Sequence, residues 1–90
     1  MVDIIFIIIY MEKINVLRSE IDLIDQKIID LLNKRFTICK EVGIIKKENE
    51  INVLDKNREN NILDELNKNS IYSISPIYQE IFKISKNQQL

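Results

Sequence analysis

Arg35 and Lys46 are the two residues whose positions raise a question of chemistry. Reading every third and fourth residue gives Ile14, Leu17, Ile21, Ile24, Ile28, Leu31, Arg35, Ile38, Val42 and Ile45. That is the 3/4 spacing of the apolar seam of a long amphipathic helix. Arg35 stands where the seam wants an aliphatic. A guanidinium does not give up its proton, and burying it unpaired is very costly, so something anionic must meet it. Eleven residues on, Lys46 returns to the same face, three turns plus about 20° round and about 16 Å along. Cys39 and Val42 give that face small apolar walls. Two cations set across an apolar gap are the feature to explain.

The composition narrows what chemistry could accompany them. There is no histidine and one cysteine, so a histidine general base is absent, an intrachain disulfide is excluded and a zinc site is not expected. What remains is arginine, lysine, carboxylates, amides and hydroxyls. The net charge of −1 argues against a protein that tracks nucleic-acid phosphates, which usually shows a basic excess. Ten lysines stand against three arginines. Arg18, Arg35 and Arg58 are therefore read as places where a planar, forked donor matters, although for Arg18 and Arg58 an ordinary surface role is equally open.

Further candidates lie beyond the seam. Asp55 opens a second helical pattern, and its carboxylate suits both the free N–H groups and the positive end of a helix dipole. Arg58 and Glu59 fall in that first turn, beside N–H groups that favour anions. Capping accounts for Asp55 whatever else it does. Ser85 and Gln89 lie four apart, one turn on one face, and by spacing alone they read as the solvated polar end of the chain.

The elements that must position these residues are all helical. Ninety residues allow one small domain with limited capacity to bury a core alone. From about Met11 to Asn49 the helical pattern is unbroken by proline and holds one glycine, Gly43. That glycine reads equally as a tolerated defect or as a place where another backbone or a ligand comes close. Some 38 residues make a rod of about 57 Å, too long for either later segment to cover. The second helix is expected over Asp55–Leu66, with Ile62, Leu63 and Leu66 on its buried side, and residues 67–74 as a polar turn. Ser75-Pro76 predicts a third helix with a serine cap and proline at its first position; Ile77, Ile81, Phe82 and Ile84 supply its apolar side. The fold class is all-α, three helices in the order long, short, medium.

Residues 1–10, MVDIIFIIIY, are set apart as an apolar N-terminal extension of unknown role, with the domain proper over 11–90. Seven apolar residues are too few to span a bilayer, and no basic region or small-residue cleavage site accompanies them. The run reads as a strand-like tail, as extra helical turns docking on a partner, or as sequence ahead of a natural start at Met11. No membrane partner is expected, and the expected location is the cytoplasm.

The runs LRSEIDLIDQKIIDLLNKR, EVGIIKKEN, VLDKNREN and ISKNQQ, taken together, resemble the all-helical chorismate mutases over residue 12 to the end. No one run is specific. The ordered set Arg18, Arg35, Lys46, Asp55, Arg58, Glu59, Ser85 and Gln89 is. The resemblance implies rearrangement of chorismate to prephenate on the way to phenylalanine and tyrosine. That pericyclic step needs no cofactor, proton transfer or covalent intermediate, which suits a chain without histidine. It needs donors aimed at the ether oxygen where negative charge develops, and a folded conformer of a flexible dianion.

Carried over residue by residue, Arg35 resembles the arginine gripping one substrate carboxylate, and Arg18 the arginine gripping the other from the neighbouring subunit. Lys46 and Gln89 resemble the donors to the ether oxygen; a glutamine there is neutral at every ordinary pH. Gln89 is preferred to Gln88, which points about 100° away from Ser85. Glu59, with the backbone near Asp55, resembles the acceptor for the ring hydroxyl. Arg58 resembles a supporting cation, Ser85 a partner of the ring carboxylate, and Cys39, Val42 and Phe82 the wall round the ring.

The same spacing predicts an intertwined homodimer. Arg18 and Arg35 are seventeen residues apart, about 25 Å along one rod and about 100° apart round it, too far to hold one small dianion. If both bind it, Arg18 arrives from a second, antiparallel copy. Two other readings stay open. Isochorismate pyruvate lyase shares this fold and also takes a dianionic cyclohexadiene ether, though Arg58, Glu59 and Gln89 together favour the mutase. A non-catalytic dimeric helical module explains the seam but not Arg35 within it.

Overall fold

The computed structural model describes residues 3–90. Three helices run through them, α1 (Ile4–Glu48), α2 (Lys56–Asn69) and α3 (Ser75–Gln89), with no strand among the described residues. The chain divides into two units, one up to Asn33 and one from Lys34 to Leu90.

The first unit is a stretch of α1. Its helix begins at Ile4 rather than at Met11, its first turn closed by Ile7 N–H donating to the Asp3 carbonyl at 3.1 Å. The strand-like reading of the opening run is therefore corrected for Ile4–Tyr10, which are helical; Met1 and Val2 lie outside the described residues. Every apolar side chain from Ile4 to Tyr10 is exposed in the single chain. Along the whole of α1 the aliphatic members of the seam stay 38–63% exposed.

The second unit holds the end of α1, both shorter helices and the loop between them. Glu50 ends α1 with a positive φ of 55°. Its N–H donates to the Lys47 carbonyl at 3.4 Å and the Ile51 N–H donates to the Lys46 carbonyl at 2.8 Å. This pair of bonds satisfies carbonyls that a helix end leaves bare. Asp55 caps α2 through its side chain, accepting from Arg58 N–H at 3.0 Å, a bond worth about 1 kcal/mol.

Three expectations for this region change. The polar turn expected from Asn67 starts later, because α2 runs on to Asn69 and closes with Ser70 N–H donating to the Leu66 carbonyl at 2.9 Å. Ser75 is the first residue of α3 rather than its cap; Ile74 holds the cap position, and the Ser75 hydroxyl donates to Asn67 Oδ1 at 3.1 Å instead. The apolar sides are also narrower than expected. Ile62, Leu63 and Leu66 are half-buried, while Ile77 and Ile84 are exposed. The core of this unit is Ile81 and Phe82, the latter 4% exposed and edge-on to Tyr78 with ring centroids 6.0 Å apart.

Candidate active site

Three helix ends meet around a cavity of about 280 Å³, close to the lower limit of ligand pockets, roughly 300 Å³. The last turns of α1 contribute Arg35, Cys39, Val42 and Lys46; the first turn of α2 contributes Arg58 and Glu59, with its cap Asp55; the last turns of α3 contribute Phe82, Ser85 and Gln89. Each set follows from helical periodicity, since residues three, four and seven apart share a face. Seven of the eight expected site residues thus line one cavity. Arg18 does not; it is exposed, in the first unit.

Arg35 is half-buried and donates through Nη1 to Ser85 Oγ at 2.5 Å, with Cys39 Sγ at 3.8 Å. Ser85 in turn donates to the Ile81 carbonyl at 2.7 Å. The hydroxyl's own proton is thereby engaged along α3, and its lone pairs face the guanidinium. Ser85 and Gln89 are 6% and 9% exposed, which overturns their reading as a solvated end. They are the polar lining of a cavity that the last turn of α3 closes.

Lys46 is fixed from two sides. Its ammonium donates to the Val53 carbonyl at 2.9 Å and to Gln89 Oε1 at 2.8 Å, while its own carbonyl accepts from Ile51 N–H. The loop that ends α1 therefore folds around the lysine. An ammonium carries three N–H groups and no acceptor, so one donor remains beyond these two bonds. The same rule orients the Gln89 amide: its oxygen faces Lys46, and its nitrogen donates to the Ser85 carbonyl at 3.3 Å. One further amide N–H is left to the cavity.

The electrostatics are one-sided. Among the described residues Arg35, Lys46 and Arg58 have no carboxylate within ion-pair distance. Glu59 pairs with Lys86 at 3.3 Å, and its other oxygen, Oε2, is buried with no hydrogen-bond partner. A buried, unmatched carboxylate oxygen is expensive unless a donor arrives. Lys86 and Val53 are not among the expected site residues; both line the cavity, together with the seam residue Ile38 and Ile62 of the buried side of α2. A signal was present for Lys86, four residues after Phe82 and three before Gln89 on the same face. Gln88 does not line the cavity.

The family model for chorismate mutase type II matches residues 17–90. The chain belongs to that family. As a chorismate mutase type II chain it has the expected all-helical fold, and among the described residues no helix is long and apolar enough to cross a membrane. It is similar to a solved structure of a conserved hypothetical protein from Pyrococcus furiosus, with 36% identity and a TM-score of 0.78, over 87% of this chain and 96% of that one. No protein of curated function matches it.

Proposed function

We propose that this family member is a chorismate mutase, an isomerase that converts chorismate to prephenate for phenylalanine and tyrosine synthesis in the cytoplasm. The observation that carries the reading is the set of three cations without carboxylate partners around a single cavity. A dianion supplies what they lack. Counting Lys86, the lining holds four cations against Asp55 and Glu59, an excess of two positive charges.

In this reading Arg35 grips one carboxylate, with Ser85 beside it, and Arg58 adds to the positive field. The spare N–H groups of Lys46 and Gln89 converge on the ether oxygen and stabilise the charge that grows there as the C–O bond breaks. Glu59 Oε2 accepts from the ring hydroxyl. Cys39, Val42 and Phe82 press the enolpyruvyl arm over the ring, so that the reacting carbons approach in a near-attack conformer. No proton moves and no covalent bond to the enzyme forms.

Residues 11–90 form the catalytic unit, and residues 1–10 extend it. The second carboxylate is held by Arg18 of a second copy in an intertwined antiparallel dimer. The bare aliphatic seam supports that assembly, since a monomer with so small a core leaves most of its apolar surface in water. The deciding experiment follows chorismate consumption in the ultraviolet with purified protein, with isochorismate as the second substrate. Prephenate from chorismate is the expected product. Release of pyruvate from isochorismate without turnover of chorismate would assign the lyase instead.

A further inference from the structure

The Lys86–Glu59 ion pair joins α3 to α2 at 3.3 Å, with side chains 37% and 15% exposed. The other two ion pairs among the described residues link positions three apart on one helix surface, at Lys68–Glu65 and Lys83–Glu80, with every side chain at least two-thirds exposed. Those are worth little. The cross-helix pair differs in what it does to the carboxylate. A carboxylate offers two oxygens in one rigid plane, so anchoring one sets the direction of the other. Lys86 holds Oε1, and Oε2 is left buried without a partner in a residue that lines the cavity.

We infer that Lys86 is a positioning residue: it turns Glu59 so that Oε2 meets the ring hydroxyl of the substrate, and so sets where on the ring the site accepts a hydroxyl. The inference rests on reading this cavity as a chorismate site. Charge gives Lys86 a second task. A bare Glu59 carboxylate would repel a dianionic substrate, whereas a paired one accepts a hydrogen bond without adding net negative charge. A neutral residue at position 86 loses both effects. The carboxylate is then free to rotate, and the cavity's excess falls from two positive charges to one.

Simple tethering of two helices would lower stability but treat all substrates alike. Direct contact of Lys86 with a substrate carboxylate would weaken all dianions equally. Orientation of Glu59 predicts a selective loss. The test compares wild type, Lys86→Met, Lys86→Arg, Glu59→Gln and the double variant Lys86→Met/Glu59→Gln, using chorismate and the analogue whose ring hydroxyl is replaced by hydrogen. Lys86→Met is expected to narrow the preference for chorismate over the deoxy analogue about ten-fold, the scale of a lost hydrogen bond to a charged group. Lys86→Arg should restore most of the preference. In the Glu59→Gln background the change at 86 should have little further effect on it. Circular dichroism checks that each variant is helical; if Lys86→Met is not, Lys86→Gln carries the same comparison. Equal losses on both substrates, or an unchanged preference, overturn the inference while leaving the mutase reading intact. A wild-type protein inert toward chorismate removes both.

Discussion

Gly43 and Gln89 meet backbone to backbone. A Cβ at position 43 would stand 2.5 Å from Gln89 Cα, 2.7 Å from its carbonyl oxygen and 3.0 Å from its carbonyl carbon. The glycine is therefore the point where the end of α3 comes down on α1, one turn before Lys46. It brings the Gln89 amide within 2.8 Å of the Lys46 ammonium. The missing side chain at 43 and the hydrogen-bonded pair at 46 and 89 are one device.

Gly43→Ala follows directly. Alanine adds about 1 kcal/mol of helix propensity, but the atoms it meets are backbone and cannot rotate away. Overpacking of this kind typically costs ~1–3 kcal/mol, so the melting temperature is expected to fall. Displacement of Gln89 should lower kcat on the order of 10–100-fold. An unchanged kcat with a raised melting temperature would show that the end of α3 yields freely.

Arg35→Ala and Lys46→Ala should each remove most activity and leave the helical signal in place. Loss of one preorganised donor to developing charge typically costs ~10²–10³ in rate, about 3–4 kcal/mol. Arg35 is expected to cost more, because in the proposed site it also fixes the orientation of the substrate. The helices should persist: removing a half-buried cation that has no carboxylate partner relieves a burden on the unliganded protein, which offsets part of the cost of the bonds lost to Ser85, Val53 and Gln89. Near-wild-type turnover in both variants would sink the assignment of the cavity.

Much of the site could be read from the chain because helical periodicity converts spacing into position. Arg35, Cys39, Val42 and Lys46 share a face by arithmetic, and Asp55 carries its capping role in its side chain. Tertiary contact decided the rest. Nothing local distinguishes Ser85 and Gln89 from a frayed polar end; burial comes only from the backbone approach at Gly43 and the reach of Arg35 and Lys46. The pairing of Lys86 with Glu59 needs α2 and α3 side by side, which no spacing within one helix encodes. Ser75 was misplaced as a cap for a similar reason, since its hydroxyl has a partner in Asn67 that α2 brings near.

A chain beginning at Met11 tests the opening segment. Each proposed functional residue lies at or beyond Arg18, and the family match begins at Leu17. The shortened protein is expected to fold, dimerise and turn over chorismate as the full chain does, measured by sedimentation and by rate. Aggregation or loss of the dimer would show instead that the exposed helical turns from Ile4 to Tyr10 belong to an interface.

The proposed sharing of the site between two chains makes the most specific prediction. Arg18 is not among the residues lining the cavity that holds Arg35, and a substrate with two carboxylates needs a second grip. If that grip is Arg18 of another copy, Arg18→Ala and Arg35→Ala homodimers should each be nearly inactive. After the two are unfolded together and refolded, a heterodimer contains one site with both arginines and one with neither. Random pairing makes half of the dimers heterodimers, and half of their sites are intact, so activity should return to about a quarter of wild type. Tagging the two chains differently and isolating the mixed dimer sharpens the test, because the purified heterodimer should reach about half. An inactive heterodimer would show that Arg18 does not act across the dimer and would overturn the shared site.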